Sequence, residues 1–132
     1  MKLKIFTPTE VFWNSEIQKI DFEALDGFFT LLPKHIDFVN ALKPTVVKIQ
    51  ENNQYHYVAC QKGVVVKKGD EVFISTSLAI KNDDLTELKK QIKNEFSKME
   101  EERKEVLLSM TRLEVGLTRG LMQLQNKGEF SV

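Results

Sequence analysis

Residues 71–96 read EVFISTSLAIKNDDLTELKKQIKNEF, and the hydrophobic period changes inside them. Before Asn82 the apolar residues alternate with polar ones, as a half-buried strand requires. After Asp84 they recur at steps of three and four, as one face of a helix requires. Asp83 or Asp84 supplies an N-cap oxygen, and Glu87 falls near the positive end of the helix dipole. The chain is therefore divided at about residue 82 into a β part (1–82) and a helical part (83–132).

Upstream, period two continues. Leu3 and Ile5 alternate with Lys2 and Lys4, and Ile20, Phe22 and Ala24 with Asp21 and Glu23. Further short strands are expected at 28–32, 36–42, 45–50, 55–60, 64–68 and 71–76, all rich in Val, Ile and Phe. Asp26-Gly27, Asn52-Asn53, Gln61-Lys62-Gly63 and Lys68-Gly69-Asp70 punctuate them with residues that tolerate positive φ. Many short antiparallel strands of this kind make a sandwich or barrel. Phe28 and Phe29, adjacent on a strand, must face opposite sides, so one of them is a candidate contact for a helix or partner.

Downstream, Leu88, Ile92, Phe96, Met99, Arg103, Val106, Met110, Leu113, Leu117, Leu121 and Leu124 form one helical stripe with a single charged member. About 43 helical residues in one rod would extend roughly 65 Å. A compact chain of this length has a radius of gyration of only about 14 Å. The segment must fold back as a hairpin or extend along another molecule. The expected break is MEEERKE (99–105) or Ser109–Thr111, where Thr111 could cap a second helix. Gly116 and Gly120 each cost up to about 1 kcal/mol in a helix interior.

Composition narrows the function. The 132 residues carry 19 Lys+Arg and 19 Asp+Glu, nine of each sign in residues 1–80 and ten of each after, so there is no basic field to bind nucleic acid. Cys60 is the single cysteine and has no internal partner; at a strand end it reads as an inert buried thiol. The N-terminus lacks the apolar core of a secretory signal, and no apolar run approaches the roughly 20 residues that span a bilayer. No phosphate-cradling glycine loop, nucleophile elbow or HExxH is present. His56, within YHY, reads as structural. His35 near Asp37, with Asp21 and Asp26, lacks any metal-ligand spacing. Trp13 reads as a core ring, with an exposed partner anchor as the alternative. Neither a catalytic residue nor a cofactor or metal site is expected. From these residues alone, a freestanding sandwich adaptor with a dimerising coiled-coil tail remains an alternative.

Four segments in order add more: TPTEV (7–11), LPKHIDFVNAL (32–42), the NDDL helix start (82–85) and TRLE (111–114). Together with GFFTLL (27–32) and YVACQKGVVVKKGDEVFIST (57–76), they resemble the epsilon subunit of F-type ATP synthases. The closest resemblance is to the alternate, N-type branch, often described as sodium-translocating. The resemblance implies a ten-stranded sandwich (1–82) and a C-terminal helical domain (83–132). It also implies a non-catalytic place in the central stalk, coupling ATP synthesis or hydrolysis to ion movement. The implied partners are the gamma subunit and the membrane rotor ring, at the cytoplasmic face of a bacterial inner membrane and peripheral to it. Carried onto these positions, Asp26, Gly27 and His35 are expected to meet the ring, and Phe28 or Phe29 the gamma subunit. If the helices extend to inhibit hydrolysis, Lys98, Arg103, Lys104, Arg112 and Arg119 are expected to pair with the catalytic hexamer. The [IL]DxxRA segment of ATP-binding relatives has no match, because NDDLTELKK lacks its Arg and Ala.

Overall fold

The computed structural model describes residues 1–95 and 103–115. Ten strands come first: β1 (Lys2–Thr7), β2 (Glu10–Glu16), β3 (Lys19–Ala24), β4 (Gly27–Leu31), β5 (Phe38–Leu42), β6 (Thr45–Glu51), β7 (Gln54–Cys60), β8 (Gly63–Lys68), β9 (Glu71–Thr76) and β10 (Ala79–Asn82). Helix α1 (Leu85–Glu95) follows, and a second helical stretch, α2, covers 103–115.

The strands form two layers. β10-β7-β6-β3-β4 make the first and β5-β8-β9-β1-β2 the second. They join at one corner, where Ala24 pairs with Leu42 and two backbone bonds flank the bridge. All pairings are antiparallel except β1 with β9. The alternation seen in the sequence is the pleat: Leu3, Ile5, Ile20, Phe22, Val47, Ile49, Val58, Val65, Val72 and Ile74 fill the space between the layers. Asn52 and Asn53 take φ of 52° and 64°, as a two-residue hairpin turn twisted with its strands requires.

A second apolar cluster lies on the outside of the first layer. Val46, Ala59 and Ile80 from β6, β7 and β10 are covered by Leu88 and Ile92 of α1 and Val106 and Met110 of α2. Both described helices converge on one patch, so α1 and α2 form a docked pair, the helical hairpin. The patch also explains why five consecutive residues of β6, Thr45–Ile49, are buried: both faces of that strand are covered.

Strands β2 and β10 are not separately expected from the sequence. β2 is an edge strand with only Trp13 buried, and β10 has four residues, so neither shows a clean period. Strand β5 begins two residues later than its apolar pattern suggests, because Ile36 and Asp37 are held in the preceding loop. One expectation is corrected. Ser109–Thr111 does not break the helix: Ser109 and Met110 are buried, and the Thr111 hydroxyl donates back to the Leu107 carbonyl at 3.1 Å. Most of the other proposed break, residues 99–102 of MEEERKE, lies outside the described residues.

The cap of α1 belongs to Asp84, whose Oδ1 accepts from the amides of Thr86 (2.8 Å) and Glu87 (3.3 Å). That leaves Asp83 free for His56, which it meets at 2.7 Å through Nδ1. The buried imidazole also faces Glu51 through Nε2 at 3.4 Å and stacks obliquely on Trp13, 5.5 Å between ring centres. His56 thus ties the sheet to the junction from which the helices leave.

Candidate functional site: a strand rim and a helix latch

Asp26 and Gly27 make the β3–β4 turn, where Gly27 takes φ of 124°, a conformation that L side chains rarely adopt. Asp26 accepts from the Asn40 side chain on β5 at 2.9 Å. His35 lies in the β4–β5 loop, its Nδ1–H donating to the Ile36 carbonyl at 2.8 Å and its ring edge-on to Phe38. Phe38 and Asn40 are two residues apart on β5, about 7 Å along a strand. The structure therefore fastens Asp26 and His35 to the same short strand. It does not gather them with Asp21 or Asp37: Asp21 accepts from Thr30, and Asp37 accepts from the Gly69 amide. Among the described residues no three His, Cys, Asp or Glu are placed to hold a metal.

This rim is apolar and open. Ile36 is 80% exposed and Val39 72%, with Leu25, Leu32 and Val64 also exposed. On the outer face of the second layer Val39 and Val64 continue into the half-buried Val66, Phe73 and Phe6, the last two rings stacked at 6.3 Å. No described helix covers that face; α1 packs on β7 and β10.

Phe28 and Phe29 do face opposite ways. Phe29 joins Phe22 and Phe38 at the core, with ring centres 6.1 and 4.8 Å away. Phe28, opposite Glu23 in the register, is exposed on the helix side.

Two groups that the sequence reading passed over do most to shape these regions. The first is Lys67, only 2% exposed, whose ammonium donates to the carbonyls of Pro33 (3.2 Å), His35 (2.7 Å) and Gly69 (2.5 Å). It pins the β4–β5 loop to the β8–β9 turn. Its inward position was legible, since period two carries Val65 to Lys67. The second is a four-charge latch between sheet and α2. Arg112 bonds the buried Glu23 at 3.2 Å, Lys43 reaches Glu23 at 3.5 Å, and both cations approach Glu105 at 3.9 Å. Beneath it the hydroxyls of Thr45 and Ser109 meet at 2.6 Å. Nothing in the sequence links residues 23 and 112, which only the docked hairpin brings together. Of the other helix cations expected to act, Lys104 is exposed and Arg103 half-buried; Lys98 and Arg119 lie outside the described residues.

Cys60 is fully buried, and burial pushes its thiol up to about 12. Because the thiolate is the reactive form, a disulfide reagent at pH 8 should label the native chain about a thousandfold more slowly than the guanidinium-unfolded chain. Equal rates would show that the thiol is accessible.

These features define a class: a ten-stranded β-sandwich with a helical hairpin docked on one layer and, on the other, an apolar face that no described helix covers. A family profile described as ATP synthase, Delta/Epsilon chain, beta-sandwich domain matches residues 1–82, all ten strands. The chain belongs to this ATP synthase delta/epsilon family. The ATP synthase epsilon chain of Clostridium botulinum (strain Hall) is 31% identical over 86 residues, 64% of this chain and 65% of that one. The match thus spans just under two thirds of the length of that relative. The chloroplastic epsilon chain of Marchantia polymorpha is 35% identical over 63 residues, 48% of this chain and 47% of that one. Two solved structures share the fold. A chain of the Euglena gracilis mitochondrial ATP synthase (OSCP/F1/c-ring, rotational state 1) superposes with a TM-score of 0.64 at 19% identity, covering 87% of this chain and 79% of that one. One from the Tetrahymena thermophila mitochondrial ATP synthase central stalk and c-ring superposes at 0.53 and 15%, covering 60% and 64%.

Proposed function

We propose that this chain is the non-catalytic epsilon subunit of the central stalk of a rotary F-type ATP synthase. The observation that carries the reading is the family match over the entire sandwich. In support, the second layer leaves an apolar outer face without a described cover, and contiguous exposed apolar surface is a mark of a docking site. On this reading the face of Val39, Val64 and Phe73 packs on the gamma subunit, with Phe28 an added contact beside the hairpin. Asp26, Gly27 and His35 present the β5 rim to the polar loops of the rotor ring. A double sheet closed at a corner suits a part that must pass torque without opening locally.

The subunit couples ATP turnover to ion movement through its partners, and the segments TPTEV, LPKHIDFVNAL, NDDL and TRLE favour the N-type branch. It is placed at the cytoplasmic face of a bacterial inner membrane, held there by protein contacts. No described helix is long and apolar enough to cross a bilayer. Across the described residues the helical stripe is buried on the chain's own sheet, which leaves a dimerising adaptor tail without its seam.

The test is a pull-down of the tagged full chain from gently solubilised membranes of its source organism. Recovery of gamma with ring or hexamer subunits is expected; recovery of none of these would overturn the assignment.

Inhibition by the hairpin is part of the proposal. Arg112 pairs with Glu23 of its own sheet when docked, so it can meet the hexamer only after release, which makes the two states exclusive. Deleting residues 83–132 is expected to raise ATP hydrolysis by the assembled complex severalfold. Unchanged hydrolysis with normal assembly would remove inhibition from the reading.

A further inference from the structure

β10 is the shortest strand, four residues on an edge of the first layer, paired with β7 alone. An edge pair so short is marginal unless something else holds it. The helices supply part of that hold, since Ile80 lies in the patch with Leu88 and Ile92. If α1 and α2 left the sheet, β10 would lose that cover, and its downstream end would be pulled after them. Contacts that involve no helix oppose this. At the start of the strand the Gln61 amide donates to the Leu78 carbonyl at 3.1 Å. On its inner face Ala79 sits in the sandwich core, and the Lys81 ammonium lies 5.1 Å from the centre of the Trp13 ring. Just past its end the His56 Nδ1–H donates to Asp83 at 2.7 Å. His56 is 9% exposed and is held in place by Trp13 on its face and Glu51 at Nε2. Facing a carboxylate, which only accepts, Nδ1 is the protonated nitrogen in the neutral ring as well as in the charged one. The clasp therefore does not depend on the charge of the ring.

One residue further on, the hydrogen bonds turn towards the helix. Asp84 caps α1 through the amides of Thr86 and Glu87, and Asn82 bonds the Asp84 amide at 2.9 Å and the Gln91 side chain at 3.0 Å. Helix α1 has only Leu88 and Ile92 buried, and the α2 latch consists of part-exposed ion pairs. That is the profile of a unit that opens before the sheet does. We propose that the chain pivots between Asp83 and Leu85: the His56 clasp keeps β10 on the sandwich when the helices come away, so the core stays closed in both positions of the pair. Release of the helices belongs to the proposed reading of the chain. The pivot concerns where the chain parts, and it is measured on the isolated chain.

The test is native-state hydrogen exchange of the full chain at constant pH in rising, sub-denaturing urea, with Trp13, the single tryptophan, as a second probe. In the parent chain the α1 amides are expected to open together at lower urea than the β10 amides, which should exchange with those of β7. Asp83→Ala removes the clasp at an exposed side chain. It is expected to speed exchange of the β10 amides about tenfold relative to β7, as the loss of one bond to a charged group implies. It should also shift the Trp13 emission as Lys81 moves off the ring. Asp83→Asn, which keeps an acceptor oxygen, should lose less. Asp84→Ala, which removes the cap instead, should speed exchange in α1 alone and leave β10 and Trp13 as in the parent. β10 amides that open with α1 in the parent would place the pivot upstream and overturn the proposal. So would α1 amides that open only with the sheet, or equal effects of Asp83→Ala and Asp84→Ala on β10. None of these outcomes bears on capture of the gamma subunit, which tests the assignment itself.

Discussion

Lys67→Met is expected to lower the melting temperature by about 6 to 24 °C, according to the size of the unit that melts, while leaving the strand content unchanged. The side chain is nearly the same length and apolar, so the stem still fits; what disappears is the ammonium. Three carbonyls, of Pro33, His35 and Gly69, then lose their donor. Hydrogen bonds from a charged group are worth about 1.5–3 kcal/mol each, and a buried acceptor left unmade adds a penalty. The loop can turn some of these carbonyls to water, so a net loss of about 3 kcal/mol is the reasonable sum. For a domain of this size each kcal/mol moves the midpoint by about 4 to 8 °C, or 2 to 4 °C if the whole chain melts as one unit. Calorimetry decides it. A shift under 3 °C would mean that the three bonds contribute little beyond what water supplies. A second readout connects the residue to function. On the proposed assignment the loop holding His35 is a rotor contact, so Lys67→Met should weaken capture of ring subunits more than capture of gamma.

Lys67 also marks the limit of what the sequence discloses. The two-layer fold was legible because its core obeys period two almost without exception, from Leu3 and Ile5 to Val72 and Ile74. The division at Asn82 was legible because a cap and a change of period coincide there. The strand over 36–42 was too long for a reason that no local pattern carries: Ile36 and Asp37 have strand-like neighbours, but Lys67 and Gly69, some thirty residues away, hold them in a loop. The double burial of β6 was hidden for a similar cause. TVVKIQ looks like an alternating strand with Lys48 outward, and Lys48 does point outward from the sandwich; the hairpin then buries that outer face.

The contact residues were legible only in kind. A turn at Asp26-Gly27 and opposed rings at Phe28 and Phe29 follow from local chemistry. That Asp26 is fastened to Asn40, and that Arg112 closes on Glu23, are facts of topology, since each pair meets through a strand order that skips along the chain. The latch is also where local rules would mislead. Glu23 lies between Phe22 and Ala24, a position that reads as solvent-facing, and it is buried beneath Arg112 and Lys43. On the proposed reading, in which the hairpin leaves as well as docks, a charged latch over a modest apolar patch is suitable, because water can replace ion pairs more readily than it can replace packing.

Gly63→Ala is expected to be the most damaging single methyl in the sandwich. A Cβ built at Gly63 would lie 1.9 Å from the Ser75 carbonyl oxygen, which is backbone and cannot rotate away. An ordinary contact needs more than 3 Å, so β8 and β9 must part by over 1 Å at this point. Gly63 pairs with Thr76 on one side and Leu42 on the other, and the Thr76 hydroxyl bonds the Gln61 carbonyl at 2.9 Å. The strain therefore spreads into β5 and the β7–β8 turn. Overpacking of a well-filled site costs about 1–3 kcal/mol, and with ladder bonds stretched the upper end, about 3 kcal/mol, is expected. Gly69→Ala provides the comparison. Its φ is 57°, yet nothing lies within 4 Å of the added Cβ, so only the left-handed backbone is penalised, at about 1 kcal/mol. Urea unfolding should place the Gly63 variant about threefold further from the parent than the Gly69 variant, with unchanged slope if both remain two-state. Equal shifts would mean that the strands absorb the methyl freely, and on the proposed assignment a sheet so compliant beside the corner strand would be a poor transmitter of torque.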